Sequence, residues 1–383
     1  MIQSCNQKSV FVTLAGFCRS YATTNMYPSP YLKPAKFVRG GGHFIDMRRI
    51  QFQHAYHNII SVENLLEAWK EFVRGKRGRK DIQEFEYDLM PNILLLHREL
   101  VAKTYKHSPY EFFKINDPKP RDIHKAKVRD RLLHHALYRK LYPFFDKTFI
   151  SDSTSCRFGK GTHVAVDRFR TFAYKVSQNH TRTAWVLKCD IRKFFASIYQ
   201  SILLEILARY IPDREITNLI AEIVGSFHST TPGVGLPLGN LTSQLFVNIY
   251  MNEFDQFMKH QLRAKYYIRY SDDFVILSDD RAWLCDIIPP VKGFLLQRLK
   301  LQLHPNKISI GTISAGVDYL GWVSFPDHRV LRPATKRRML RGIRQKSGKP
   351  ETVQSYIGLM SHGNTQILKD KVEIYTREYR ANI

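Results

Sequence analysis

Acidic side chains are scarce in this chain: 34 Asp and Glu stand against 59 Lys and Arg, a net charge of +25 over 383 residues. No acid occurs before Asp46, and beyond residue 330 the only four are Glu351, Asp370, Glu373 and Glu378. Such a shortage favours a polyanionic partner, nucleic acid before any other, over a merely basic enzyme. Cysteine is sparse as well. Cys5, Cys18, Cys156, Cys189 and Cys285 contain no Cys-x-x-Cys spacing, so neither a zinc site nor a disulfide framework is indicated. That usage suits a reducing compartment, and the expected location is cytoplasmic. No apolar run approaches the ~18 residues of a membrane span, so no membrane partner is expected. With 13% aromatic and 44% apolar residues, the chain is not short of core-forming side chains either, which excludes disorder and permits two or three subdomains.

Against that background one stretch stands out, Tyr266-Tyr-Ile-Arg-Tyr-Ser-Asp-Asp-Phe-Val-Ile-Leu277. Two β-favouring runs flank Ser271-Asp272-Asp273, placing the carboxylates at the turn of a tight hairpin. Such a tip is a costly place for negative charge unless a cation is held there. On these residues alone, a metal-binding tip and a solvated turn are equal alternatives. Upstream, Trp185-Val-Leu-Lys-Cys-Asp190 is another apolar strand ending in an acid. If Asp190 lies beside the turn, three carboxylates converge, a donor set suited to two Mg²⁺ ions. Between the acids lies Gly235-Leu-Pro-Leu-Gly-Asn-Leu-Thr-Ser-Gln244, a loop running into an apolar helix.

These three pieces, in this order, resemble the palm of reverse transcriptases, and Tyr270-Ser-Asp-Asp273 matches that family's Tyr-x-Asp-Asp box. The resemblance implies an α+β, right-hand polymerase fold: fingers, a palm with an RRM-like antiparallel sheet, and a helical thumb. It also implies catalytic and metal-holding roles for Asp190, Asp272 and Asp273, with the Ile191 carbonyl as a further metal ligand. Two Mg²⁺ ions are the implied cofactor, Mn²⁺ an alternative. Phe195 falls where the family places an aromatic gate under the sugar, which argues for deoxynucleotides. Its plainer reading is core packing, since one of Phe194 and Phe195 must point inward. Arg192 and Lys193 lie near enough to assist the triphosphate.

The loop departs from most of the family, which has Gln-Gly-x-x-x-Ser-Pro where this chain has Leu238-Gly239-Asn-Leu-Thr-Ser-Gln244. An aliphatic before the glycine and the Ser-Gln ending resemble enzymes of diversity-generating retroelements and related lineages tied to phage defence. Leu238, Gly239 and Gln244 then border the nascent base pair. Replacing an amide by Leu238 implies relaxed fidelity, particularly opposite template adenines.

Before the palm, residues 1–50 form an extension of uninformative composition; the acid-free run at 10–17 has the look of a transit peptide, and a floppy or template-touching arm, or an over-called start codon, is the stronger reading. From Ser61 the pattern turns helical, with Leu65, Trp69 and Phe72 on one face and Ser61 as N-cap. A second helical stretch runs from Ile82 to Leu100, with a kink expected at Pro91. The basic loop Arg74-Gly-Lys-Arg-Gly-Arg-Lys80 reads as phosphate-contacting or as a solvated turn. Around Arg121 and Arg129 the chain resembles the fingers of bacterial retroelement enzymes, which makes Arg121 the triphosphate clamp and Arg129 its support; surface pairing with Asp122 and Asp130 is the alternative. Ser153–His163 resembles the second fingers box.

Past the palm turn, a second Ser-Asp-Asp at 278–280 sits where a strand gives way to a helix and reads as an N-cap. Leu299–Lys307 resembles the next box, with Lys307 near the leaving pyrophosphate and able to donate a proton. Gly316–Trp322 resembles the primer-gripping hairpin, with Leu320, Gly321 and Trp322 nearest the primer end. Beyond 330 a basic helical segment fits a short thumb along a duplex. The expected division is 51–183 fingers, 184–325 palm and 326–383 thumb. Partners implied are an RNA template, a DNA primer or cDNA and deoxynucleoside triphosphates, with a dedicated noncoding RNA and a small basic accessory protein as further candidates. The alternatives are a group II intron maturase, an RNA-dependent RNA polymerase, which Phe195 opposes, and a non-catalytic descendant, which the three acids oppose.

Overall fold

The computed structural model describes residues 50–116, 120–346 and 349–381. Residues 1–49, the bulk of the N-terminal extension with its acid-free run, lie outside the described residues. Helix α1 (Tyr56–Ile60) leads into α2 (Val62–Phe72), where Ser61 accepts a hydrogen bond from the Asn64 amide, as its N-cap position requires. The face carrying Leu65, Ala68, Trp69 and Phe72 is buried. Helices α3 (Lys80–Tyr87) and α4 (Leu89–Val101) are separate, and here the expectation of one kinked helix is corrected. A proline ring clashes with the carbonyl four residues back, and for Pro91 that residue is Tyr87, where α3 stops.

Strands β1 (Glu111–Ile115) and β2 (Arg121–Lys125) form a two-stranded antiparallel ribbon with Ile115 opposite Arg121. Helix α5 (Val128–Phe145) then runs through the core, and α6 (Thr162–Val176) follows. Strand β3 (Trp185–Asp190) enters the main sheet. Helices α7 (Gln200–Ala208), α8 (Arg214–Gly225) and α9 (Leu241–Gln256) come next, then β4 (Tyr266–Tyr270) and β5 (Asp273–Ser278). Helices α10 (Arg281–Asp286) and α11 (Ile288–Leu299) precede β6 (Ser309–Thr312).

The main sheet is antiparallel, in the order β4-β5-β3-β6. Side chains alternate across it, so β3, β4 and β5 each feed two cores. Leu187, Tyr267, Phe274 and Ile276 join the larger core with α2, α5, α9 and α11. Val186, Ile268, Val275 and Leu277 join a second core with α6 and the C-terminal region. The larger core runs without a break from α2 and α5 into α7 to α11, so packing alone draws no line at residue 184.

A three-stranded sheet of β7 (Val317–Tyr319), β8 (Trp322–Ser324) and β9 (Arg329–Leu331) caps the second core and leads to α12 (Pro333–Gln345), α13 (Pro350–Met360) and α14 (Gln366–Ala381). Trp322 is buried among these elements, and the corner between α13 and α14 passes so close that a Cβ at Gly363 would collide with the indole and with the Arg329 carbonyl. On α12, Met339 and Ile343 face inward while Arg337, Arg341 and Arg344 are exposed along one side. Among the described residues, no helix is long and apolar enough to cross a membrane.

Candidate active site

Asp190 ends β3 directly opposite Asp273, the first residue of β5. Directly opposed residues of an antiparallel pair project to one face, so the register alone brings these carboxylates together. Asp272 occupies the turn between β4 and β5, entered through Ser271 at φ +57°. Its carbonyl accepts from the Ile191 amide at 3.1 Å, which ties the turn to the end of β3. On the other side, Asp190 accepts through its own carbonyl from the His304 amide at 2.7 Å, and Arg192 donates to the Gln302 carbonyl at 2.9 Å. That pairing carries Lys307 to the site, where its ammonium meets Asp190 Oδ2 at 2.6 Å.

Beneath the turn lies a buried network. Arg269 and Asp255 are both fully buried and form a two-point ion pair, Nε to Oδ1 at 2.8 Å and Nη2 to Oδ2 at 2.7 Å. Tyr267 donates to the same carboxylate at 2.6 Å, and Ser153 Oγ lies 2.9 Å from the guanidinium. Arg269 Nη1 reaches the Ser271 carbonyl at 3.1 Å. The left-handed residue of this turn, Ser271, is thus held from below by a guanidinium with no access to water. Backbone bonds from Arg269 to the Asp152 carbonyl and from Thr154 to the Arg269 carbonyl fasten the Ser153–His163 segment to the same strand.

Burial, reinforced by the Asp190 charge, pushes the Asp272 carboxyl above its ordinary value. Burial pushes Asp273 up too, with the charges of Asp272 and Asp190 adding to it. The tip therefore holds more negative charge than its surroundings balance. Among the described residues, no three His, Cys, Asp or Glu stand gathered at metal-holding spacing; Lys307 takes one oxygen of Asp190 instead. The chemistry of the donors nonetheless fits a hard divalent cation: clustered carboxylate oxygens whose ionised forms are raised in energy for want of positive charge.

Arg121 opens β2 and is half-buried; burial lowers its pKa, and the facing charge of Asp272 opposes that shift. The ribbon also touches the loop before α9. The His124 amide donates to the Leu238 carbonyl at 3.2 Å, and Asn240 Nδ2 donates to the His124 carbonyl at 3.2 Å. Gly239, at φ +111°, lies where an added Cβ would come within 3.2 Å of Ile123. Leu238 and Gln244 are half-buried, and the ribbon links this loop to Arg121, which feels the Asp272 charge. Phe194 is core, and Phe195 beside it is half-buried with its carbonyl accepting from the Leu236 amide at 2.8 Å. Arg192 and Lys193 are exposed.

Two groups of expected site residues are placed elsewhere. Arg129 is committed to other partners: it holds both oxygens of Glu99 at 2.9 and 2.7 Å, donates to the Lys106 carbonyl at 2.7 Å and stacks over Tyr105. A guanidinium with its fork filled has no free edge for a triphosphate. Leu320, Gly321 and Trp322 are all buried, Trp322 in the second core, so in this structure the hairpin presents none of them to a primer.

Other residues gather at the site without having been expected there. Lys188 lies two residues before Asp190, on the same face of β3, and donates to the Asp318 carbonyl at 2.6 Å. Arg332 is buried and ion-paired with Asp318; its amide donates to the Gly321 carbonyl at 3.0 Å, and it feels the Asp273 charge. The period-two rule applied backwards from Asp190 was the available signal for Lys188. None was available for Arg332, some 140 residues away.

A family model for the reverse transcriptase (RNA-dependent DNA polymerase) matches residues 114–324, more than half of the chain, with Arg121, Asp190, Asp272, Asp273 and Lys307 inside it. The chain belongs to the reverse transcriptase family. For such a domain the fold is the right-hand polymerase fold, and the mixed architecture with antiparallel sheets agrees with it. Among similar proteins, this reverse transcriptase is 25% identical over 297 residues to Protein YkfC of Escherichia coli K12, covering 67% of this chain and 75% of YkfC. It is 22% identical over 370 residues to the group II intron-encoded protein LtrA of Lactococcus lactis subsp. cremoris, covering 76% of this chain and 56% of LtrA. The chain thus spans little more than half of LtrA's length.

Proposed function

We propose that the protein is an RNA-directed DNA polymerase that extends a DNA primer along an RNA template from deoxynucleoside triphosphates. The register that sets Asp190 opposite Asp273, with Asp272 on the adjoining turn, carries this reading. Asp190, Asp272 and Asp273, with the Ile191 carbonyl, would hold two Mg²⁺ or Mn²⁺ ions, which when bound supply activation of the primer 3′-hydroxyl and neutralise the departing pyrophosphate. Arg121 offers a guanidinium fork to the triphosphate from the fingers side. Arg192 and Lys193 add positive charge, and Lys307, already at the carboxylates, is positioned to give a proton to the pyrophosphate. Phe195 closes the floor of the sugar site against a 2′-hydroxyl. In this reading the fingers run over 51–183, the palm over 184–325 and the thumb over 326–383.

The Asp272→Ala/Asp273→Ala double variant tests the assignment: primer extension on an RNA template is abolished, and retained extension breaks it. Presenting ribonucleotides and deoxynucleotides in turn tests the gate, with deoxynucleotide incorporation expected to dominate.

The loop Leu238–Gln244 supports a finer placement, a low-fidelity enzyme of the diversity-generating-retroelement type or a phage-defence relative. A Leu238→Gln variant that copied template adenines no more accurately than the parent would remove its basis. The similarity to LtrA favours a second reading, an enzyme of the group II intron type. Splicing assistance to a cognate intron RNA distinguishes the two.

A further inference from the structure

The hairpin that carries the carboxylates has a second end. Where Tyr266 pairs with Leu277, an open cleft of about 320 Å³ lies between the end of α6, the turn after α9 and the start of α10. Four residues of extended strand, at ~3.3 Å each, separate this end from the catalytic turn, on the order of 13 Å. Lys175, Arg263 and Lys265 supply three exposed cations to its wall, and Tyr266 and Trp283 supply two half-buried rings. Among the described residues none of the three cations is ion-paired, and the one acid lining the cleft is Asp279. Lys265 stands 5.3 Å from the centre of the Tyr266 ring, beside its face.

The rim is preformed. Gln178, Asn179 and His180 stand consecutively in the left-handed region at φ 47°, 62° and 65°, as does Arg263 at 52°. Hydrogen bonds fix the turn there: the His180 amide donates to Ser177 Oγ at 3.0 Å, and the Arg182 amide to the Ser177 carbonyl at 2.9 Å. Side-chain-bearing residues avoid this conformation unless their surroundings impose it.

We propose that this cleft is a second nucleic-acid site, outside the polymerising track, that takes one or two nucleotides of single-stranded RNA. Phosphates lie on the three cations and a base lies against Trp283 or Tyr266, the pairing of charge and stacking by which single strands are held. The cleft is too short for a duplex face. The Ser278 hydroxyl and Asp279 carboxylate at its wall are acceptors for a 2′-hydroxyl, which favours RNA over DNA. Placed behind the sheet that polymerises, such a site anchors a stretch of RNA that is not being copied.

The test uses the full-length protein saturated with an unlabelled primer–template hairpin and then titrated with a fluorescein-labelled ten-nucleotide oligouridine. Binding is expected to persist beside the hairpin. The Lys175→Ala/Arg263→Ala/Lys265→Ala variant, checked for folding by circular dichroism and paralleled by the corresponding Gln triple, is expected to weaken it at least tenfold. Losing three phosphate contacts flattens the log–log salt dependence by about 2. Extension of the preannealed hairpin stays unchanged. Displacement of the oligouridine by the hairpin, or undiminished binding by both triples, overturns the proposal. Equal binding of oligodeoxyuridine overturns the preference for RNA, and competition by uridine monophosphate at equal nucleotide concentration overturns the strand in favour of a free nucleotide. If the protein polymerises nothing, the binding titration still reads, so the two claims fail separately.

Discussion

Strand β5 begins and ends with the same tripeptide, Ser271-Asp272-Asp273 before it and Ser278-Asp279-Asp280 after it. At the first, Asp273 is buried and faces Asp190 across the sheet, Asp272 is half-buried on the adjoining turn, and both carboxyls are driven toward protonation. At the second, both acids are exposed, and Asp280 caps α10 by accepting from the Trp283 amide at 3.0 Å. The supports differ as much as the settings. The first turn hangs from the buried Arg269–Asp255 pair, whereas the second is held by its own serine, whose hydroxyl accepts from the Asp280 amide at 3.1 Å. Composition therefore does not separate the two tripeptides. The neighbouring strand does, because an acid, Asp190, is delivered opposite the first.

The sharpest way to break this contrast is to exchange the losses. Alanine at 272 and 273 should cut primer extension by roughly a thousandfold or more, the several kcal/mol that metal-assisted transfer supplies; alanine at 279 and 280 should leave the rate where it was. Stability should show a difference of similar size. Arg269→Ala strands a buried Asp255 carboxylate and is expected to cost about 3–5 kcal/mol in denaturant titration.

If burial and not residue identity sets the behaviour of the turn, buried bases should shift in the opposite sense. Burial first, then Lys76 and Arg131, pushes His135 down to about 3, and burial holds its neighbour His134 well below the usual imidazole range. A base lowered by folding stabilises above its unfolded value of about 6.5 and loses that contribution as pH falls toward the folded value. Thermal scans of the wild type and His135→Leu should therefore diverge below about pH 6.5, the wild type losing about 2 kcal/mol relative to the variant near pH 5, while the raised carboxyls of Asp272 and Asp273 act in the opposite sense in both proteins. A difference that does not change with pH would contradict the assignment. The smallest effect belongs to the second tripeptide: Asp280→Ala should cost about 1 kcal/mol, the usual worth of an N-cap, with extension unaffected.

Much of this was legible in the sequence, and what was hidden shares one cause. The apolar strands, the turn acids, the cap at Ser61, a cap at Asp279 or Asp280 and the need for one of Phe194 and Phe195 to point inward follow from local rules; which phenylalanine and which aspartate did not. Arg129 did not, because its partner Glu99 lies thirty residues away on another helix, and a guanidinium reads alike whether its fork is filled or free. The segment at Leu320–Trp322 did not keep its expected exposure, since whether a tryptophan meets solvent depends on what the C-terminal helices lay over it. Arg269 sits inside the motif itself, yet its role needed Asp255 to be seen beneath it.

One last consequence follows from the corner at Gly363. There the α13–α14 corner rests on the Trp322 indole with no room for even a methyl group, so the seating of these helices is set by an atom that is missing. The residue acts as a shim of zero thickness. Alanine at that position would jack the C-terminal helices outward from their seat, and successively larger side chains would offer a graded wedge for tuning how closely they lie on the three-stranded sheet.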